Sequence, residues 1–291
     1  TSIGRDGEFR DLVTGTYKPP IYMREGMLAA TAEQLLSCCD VSREILAATG
    51  LFTSLGEVIV FRARSDGFVQ LAGPGIVDHM KQLRRILSDF QAAPVLIDGA
   101  LSRLSLLAGA EDGVCVLSTG ASLDRDMDRV VAETAHVAAM LSLPEIPSPG
   151  ESKGKKTLFR DGEEGEVLDE LSRLKRGRGR DILFVEGAFT ESQGRRLLQS
   201  PVNKENLTIL VRDGSCLMVG RATAQALMAR GIRWGVQKGT RLAAITVNRI
   251  SAGGWTFEGE RFLEKMQAAV KVPVLDVARD SGEGDKEQPP R

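Results

Sequence analysis

Short apolar runs closing on Gly, Asp or Asn alternate along this chain with longer segments of helical period, the pattern of α/β architecture. It predicts strands at Ile21–Arg24, Glu57–Ala63, Phe68–Ala72, Pro94–Ile97, Val114–Ser118, Asp181–Val185, Leu207–Val211, Leu242–Val247 and Val272–Val277. Several of these (VLI, VCVL, ILFV, TILV, AAITV) are almost unbroken apolar stretches, as parallel strands covered on both faces require. Arg64-Ser65-Asp66-Gly67 separates two of the runs and predicts an antiparallel hairpin between Glu57–Ala63 and Phe68–Ala72. Helices are predicted over Ala32–Cys38, Val77–Phe90, Leu123–Leu141, Glu164–Leu174, Glu191–Leu198, Ala222–Ala229 and Gly259–Ala269. In the third, Val130, Val131, Thr134, Val137, Ala138 and Leu141 form one apolar stripe. Asp124, Asp126 and Asp128 fall at its start, where a helix N-terminus favours anions.

The pattern breaks once, at Pro144–Lys156 (PEIPSPGESKGKK), a stretch with little to bury that reads as a linker or long surface loop. The expected organisation is therefore a first α/β domain over 1–146, a linker over 147–156, a second α/β lobe over 157–278 and a disordered polar tail over 279–291. The basic stretch Arg173–Arg180 reads either as positive charge complementing a helix C-terminus or as a contact for phosphate or an acidic partner. A weak echo links the halves: IGRDGE resembles FRDGE at 159–163, and LIDGALS at 96–102 resembles FVEGAFT at 184–190.

Composition narrows the classes of function. Hydrophobic residues are 42% of the 291 and charged residues 26%, which excludes collagenous and disordered chains. Lys+Arg number 38 against 39 Asp+Glu, so no basic excess marks a nucleic-acid binder. No apolar run approaches the roughly 20 residues that span a bilayer. Cys38, Cys39, Cys115 and Cys216 form no CxxC pair or disulfide framework, and no secretory signal opens the chain, which points to the reducing cytoplasm. The start at Thr1, in mid-pattern and without Met, leads us to expect a missing N-terminal piece.

Candidate chemistry sits at strand tips. At the end of a central parallel strand, a carboxylate projects into the crevice where ligands bind in open α/β sheets. Asp98 (VLID-GALS) and Glu186 (LFVE-GAFT) both fit a Mg²⁺-orienting acid; each equally fits a strand-end cap on the residues that follow. Ser2-Ile3-Gly4-Arg5-Asp6-Gly7-Glu8 is the second signal: Gly4 and Gly7 let backbone approach a ligand, Arg5 suits a phosphate, and Asp6 suits Mg²⁺ or an attacking water. A charged, solvent-facing loop explains the same residues. Asn248 ends the apolar run LAAITVN, where it suits either recognition of a base edge or an Asx-turn. No GxxxxGK[ST], GxGxxG or GxSxG occurs in these residues, and His79 and His136 have no Ser or Cys motif beside them, so acyl transfer is not indicated. Cys115 and Cys216 read as packed thiols.

The stretches TSIGRDGE, LGEVIVFRARSDGFVQLAGP, VLIDGALSR and VLSTGAS, in that order, resemble the reactivase subunit associated with lysine 5,6-aminomutase. LFVEGAFT, AAITVNRISAGGWTFEGERFLEKMQ and VPVLDV extend the resemblance over most of 1–277. The resemblance implies an α/β, P-loop NTPase-like fold of mostly parallel sheet with flanking helices, truncated so that the phosphate loop precedes Thr1. It further implies ATP and Mg²⁺ as cofactors, with Asp6 and Asp98 at the phosphates and metal, Glu186 as a further metal ligand, and Gly4, Arg5, Gly7 and Gly99 around the nucleotide. An adenosylcobalamin-dependent aminomutase and a second reactivase subunit are its implied partners. The segment ending in Asn248 is also similar to dethiobiotin-synthetase-like proteins, in which the Asn contacts adenine; Arg249 stands where we expect Pro. A small-molecule ligase or kinase of that type, and a non-catalytic interaction module, are the alternatives.

Overall fold

In a computed structural model of the chain, residues 1–8, 20–99, 114–147, 156–159, 181–185, 187–200 and 207–277 are described. They show mixed α/β structure with several parallel sheets, divided into two units, residues 1–111 and 112–291.

The first unit contains β1 (Gly4–Asp6), β2 (Ile21–Met23), β3 (Leu28–Ala32), a 3₁₀ turn at Glu33–Cys38, β4 (Arg43–Thr53), β5 (Gly56–Ala63), β6 (Gly67–Val69), β7 (Leu71–Gly73) and α1 (Val77–Asp89). Its named strands pair antiparallel, in the orders β3-β5-β4, β1-β7 and β2-β6. The mostly parallel sheet expected from the sequence is thus absent among the described residues of this unit. From β2 to β3, and at each step from β4 to β7, the connection is a turn of a few residues, far shorter than the dozen or so that a parallel crossover needs.

The hairpin expected between 57–63 and 68–72 does not form. β5 instead turns back onto β4, with Thr53 opposite Gly56, and holds β3 on its other edge. Residues 67–69 pair with β2. Burial explains the choice: Val58 and Val60 face one core and Phe61 and Ala63 the other, so β5 is an inner strand whose two edges are both taken. Met80, Leu83 and Leu87 of α1 pack on Val58 and Val60, as the helical period of that segment predicts. Ile3, Val95 and Ile97 join the same core. This packing brings residues 1–3 beside 96–98 as a short parallel pair: Ile3 N–H donates to the Asp98 carbonyl at 2.7 Å, and Asp98 N–H to the Thr1 carbonyl at 3.0 Å.

The second unit contains β8 (Val114–Gly120), α2 (Met127–Leu141), β9 (Lys156–Phe159), β10 (Asp181–Val185), β11 (Phe189–Thr190), α3 (Glu191–Gln199), β12 (Leu207–Val211), β13 (Leu217–Met218), α4 (Arg221–Ala229), β14 (Arg233–Val236), β15 (Arg241–Asn248), α5 (Gly259–Ala269) and β16 (Val274–Asp276). Here the named strands all pair parallel, in the orders β14-β12-β10-β9, β16-β15-β8 and β11-β13. β12 reads LTILV and is buried at every position, the signature of a parallel strand covered on both faces. Leu183, Ile209 and Val236 form a core with Leu197 and Leu227, closed by Phe189 and Trp234, whose rings meet edge-on at 5.6 Å.

β8 and α2, which composition grouped with the first lobe, belong to this unit because β8 hydrogen-bonds along β15, more than a hundred residues downstream. Part of the expected linker is also structured: Ile146 N–H donates to Val236 carbonyl at 2.8 Å and Val236 N–H to Pro144 carbonyl at 3.1 Å. Ile146 lies against Gly235, where any Cβ would collide with it. The expected helix at 164–174, the basic stretch 173–180, the tail 279–291 and Glu186 lie outside the described residues. Among the described residues, no helix is long and apolar enough to cross a membrane.

Candidate functional site

The pairing of residues 1–3 with 96–98 delivers two acids to one place. β1 continues from Ile3 to Asp6, held against β7 with Asp6 opposite Leu71. Gly7 ends it at φ +89°, and a Cβ there would run into the Val69 carbonyl oxygen, so this turn is closed to any side chain. On the other segment, Gly99 follows Asp98 and lies where a Cβ would come within 2.8 Å of Ile3 Cδ1. These close approaches let the Asp6 and Asp98 carboxyl groups hydrogen-bond to one another.

Two carboxylates in hydrogen-bonding contact cannot both be ionised without cost. The bond to Asp6, then burial and the like charge of Asp6, push Asp98 up from 3.8 to about 6; the Gly99 N–H, donating to Asp98 Oδ1 at 2.8 Å, opposes them. That last bond is also the strand-end cap expected from the sequence. The pair presents a concentrated, half-neutralised negative charge, which suits a hard divalent cation: Mg²⁺ is typically held by one or two carboxylates, with water and phosphate oxygens completing its shell. Among the described residues, no group of three or more His, Cys, Asp or Glu side chains is placed to hold a metal, so two acids are the whole protein contribution visible here.

Arg5 is engaged elsewhere than on a ligand. Its Nε lies 3.1 Å from Glu8 Oε1, and Nη2 donates to Gln70 Oε1 at 2.9 Å. Glu8 is buried, so this ion pair ties the loop to the unit's interior. Gly4 is paired with Gly73 within the β1-β7 ribbon. The first unit therefore gathers Gly4, Arg5, Asp6, Gly7, Asp98 and Gly99.

Asn248 belongs to the second unit, at the tip of β15. Its Oδ1 accepts from Ile250 N–H at 2.9 Å and its carbonyl from Ala121 N–H at 2.9 Å, which is the Asx-turn of the two readings. Nearby, Trp255 Nε1 donates to the Ala121 carbonyl at 3.0 Å, and the Arg125 guanidinium lies 5.0 Å from the Trp255 ring centroid. His136 Nε2 lies 2.8 Å from the Val219 carbonyl, a structural contact between α2 and the approach to α4. Burial pushes the Cys115 and Cys216 thiols up, in keeping with packed rather than nucleophilic cysteines.

One strand-tip acid escapes the sequence reading. Asp213 follows the apolar run of β12 by two residues and is buried, accepting from Ser215 N–H at 3.0 Å, from Ser215 Oγ and from Arg212 Nε at 3.1 Å. The run LTILVRD carries the same signal as VLID, masked by the intervening Arg212. Its bonds cap the turn at Gly214–Cys216, so it acts in the architecture of the loop that follows β12.

No family model matches this chain, and neither a curated protein nor a solved structure matches it.

Proposed function

We propose that this chain is a nucleotide-dependent reactivation subunit for an adenosylcobalamin-dependent aminomutase, with Asp6 and Asp98 as its Mg²⁺-orienting acids. The observation that carries the reading is the contact between those two carboxyl groups. TSIGRDGE and VLIDGALSR are far apart in sequence, and they meet through backbone hydrogen bonds between residues 1–3 and 96–98. A P-loop NTPase-like arrangement is part of this proposal, and no Walker-type lysine cradle occurs in these residues.

Bound Mg²⁺ supplies charge neutralisation at a triphosphate. The protein's own part is to hold Asp6 and Asp98 in register, through Gly7 at the end of β1 and Gly99 against Ile3. Nucleotide occupancy then shifts a two-state equilibrium, and one state loosens the aminomutase's grip on a damaged cofactor. Titration calorimetry of the intact protein, extended upstream of Thr1 to include the expected phosphate loop, with Mg-ATP tests the first step. Binding by the wild type, weakened at least about tenfold in Asp98→Ala, supports it; absence of binding by the wild type overturns it. Restoration of an inactivated aminomutase by the chain plus Mg-ATP tests the second. ATP turnover stimulated by a small metabolite, with no protein partner present, would instead favour a ligase or kinase of dethiobiotin-synthetase type.

A further inference from the structure

β8 (VCVLSTG) is an edge strand: among the described residues, the side of its backbone away from β15 has no strand partner. Cys115, Leu117 and Thr119 point to the side covered by α2, where Thr119 Oγ1 lies 2.7 Å from Thr134 Oγ1. Val114 and Val116 point the other way, 51% and 54% exposed, beside an exposed Ser118. The seven residues carry no charge and no proline. The register shift in this pairing inserts Ala243 into β15, so β8 itself has no bulge.

The other edges are defended. An unpaired strand edge is a template for another chain, and folded proteins blunt it with charge, proline, a bulge, short length or cover. β4 carries Arg43 and Glu44 and breaks its register twice. β16 has three residues and ends on Asp276, β9 opens on Lys156 and β14 on Arg233. β3 is uncharged but buried at four of its five positions. The strands of the two-stranded ribbons have two or three residues each. Among the described residues, β8 is thus the long edge with none of these devices. Its sequence is also complementary to itself. Two copies related by a two-fold axis join like edges antiparallel. With the axis at Leu117, Val116 faces Ser118 of the second copy and Val114 faces its Gly120, so each valine meets a small residue. No like charges oppose one another along the strand, and a net charge of −1 leaves little repulsion between whole chains.

We propose that β8 pairs antiparallel with β8 of a second copy of this chain, joining two three-stranded sheets into one of six strands across a two-fold axis at Leu117. The pairing satisfies the open backbone edge and covers Val114 and Val116. This edge lies in the second unit and does not depend on the reading of Asp6 and Asp98.

Sedimentation equilibrium of the full chain at micromolar concentrations tests it. The expected species has twice the 31.4 kDa mass of one chain. Val116→Lys, at an exposed position, sets two like charges across the axis and is expected to weaken the dimer at least about tenfold while leaving the far-ultraviolet circular dichroism unchanged. Val114→Lys makes the same test from an independent position. Leu275→Lys is the control: it lies on the same open face, level with Ser118 through Thr246, but on the strand at the sheet's opposite edge. It is expected to keep the dimer. A monomeric wild type, a dimer undiminished in both valine variants, a dimer lost in Leu275→Lys (which would mean stacking of open faces), or assembly beyond two copies overturns the proposal.

Discussion

The raised value of Asp98 beside Asp6 makes the candidate site sensitive to pH in a defined direction. The folded value for Asp98, about 6, stands above its ordinary 3.8. Between those two values the folded chain holds more protons than the unfolded one. This group's stabilising effect is therefore complete below the window and is lost as pH rises through about 6. Asp98→Asn keeps a hydrogen-bonding side chain without the titration. We expect the wild type's unfolding midpoint to carry a downward component between pH 4 and pH 6 that the variant lacks; identical pH profiles would dismiss the raised value of Asp98. Gly7 is the second residue on which the site turns. Gly26 has a similar φ, +85°, but open space around it, whereas a Cβ at Gly7 (φ +89°) strikes the Val69 carbonyl. Gly26→Ala should cost about 1 kcal/mol for its left-handed backbone alone, and Gly7→Ala more, about 2–3 kcal/mol, in urea unfolding. Equal costs would mean that the close approach to Val69 is not real. The sequence pointed to Gly7 and Asp98 because small residues beside a terminal acid are a local pattern. It missed Asp213 because an arginine interrupts that pattern, although the buried strand end is the same.

Helices and parallel strands were the most legible elements. α5 runs over Gly259–Ala269, as its apolar spacing predicts, and β10 and β12 match their apolar runs residue for residue. α2 begins at Met127, four residues later than the periodicity suggests, because Asp126 takes extended backbone and caps it, accepting from Asp128 N–H at 2.9 Å and Arg129 N–H at 3.4 Å. Asp126→Ala should therefore destabilise the second unit by about 1 kcal/mol, while Asp124→Ala, which loses an exposed pair with Arg129 and one bond accepted from Asp126 N–H at 3.0 Å, should cost less. Denaturant unfolding of both variants would decide it, and a larger loss at Asp124 would place the cap elsewhere. The least legible elements were β3 (LAATA) and β4 (REILAATGLFT). Alanine carries almost no period, and β4 breaks its own alternation with register shifts between Ile45 and Ala47 and between Ala48 and Phe52. Without a legible β3 and β4 the inner position of β5 has no sequence signal, and the turn residues at 64–67 point to the wrong hairpin.

At the scale of the whole molecule, the division between antiparallel and parallel units was hidden for a related reason. Apolar runs announce parallel strands but not which distant strand they join, so nothing in the sequence ties β8 to β15 rather than to its sequence neighbours. What the sequence does state at this scale is charge. With 38 basic and 39 acidic residues, the net charge is −1 at pH 7 and the isoelectric point is about 6.2. Self-repulsion is therefore weakest at the pH where Asp98 titrates, and colloidal stability falls as net charge approaches zero. A solubility minimum near pH 6.2 is the expected outcome in a turbidity scan. Asp98→Asn lowers the acids from 39 to 38, which takes the formal charge at pH 7 from −1 to 0, so its minimum should lie at higher pH. Aggregation would then mimic destabilisation in the variant used to test the raised value of Asp98. The two effects separate by protein concentration: a midpoint set by the titration of one carboxyl group is independent of dilution, whereas one set by association rises as the chain is diluted.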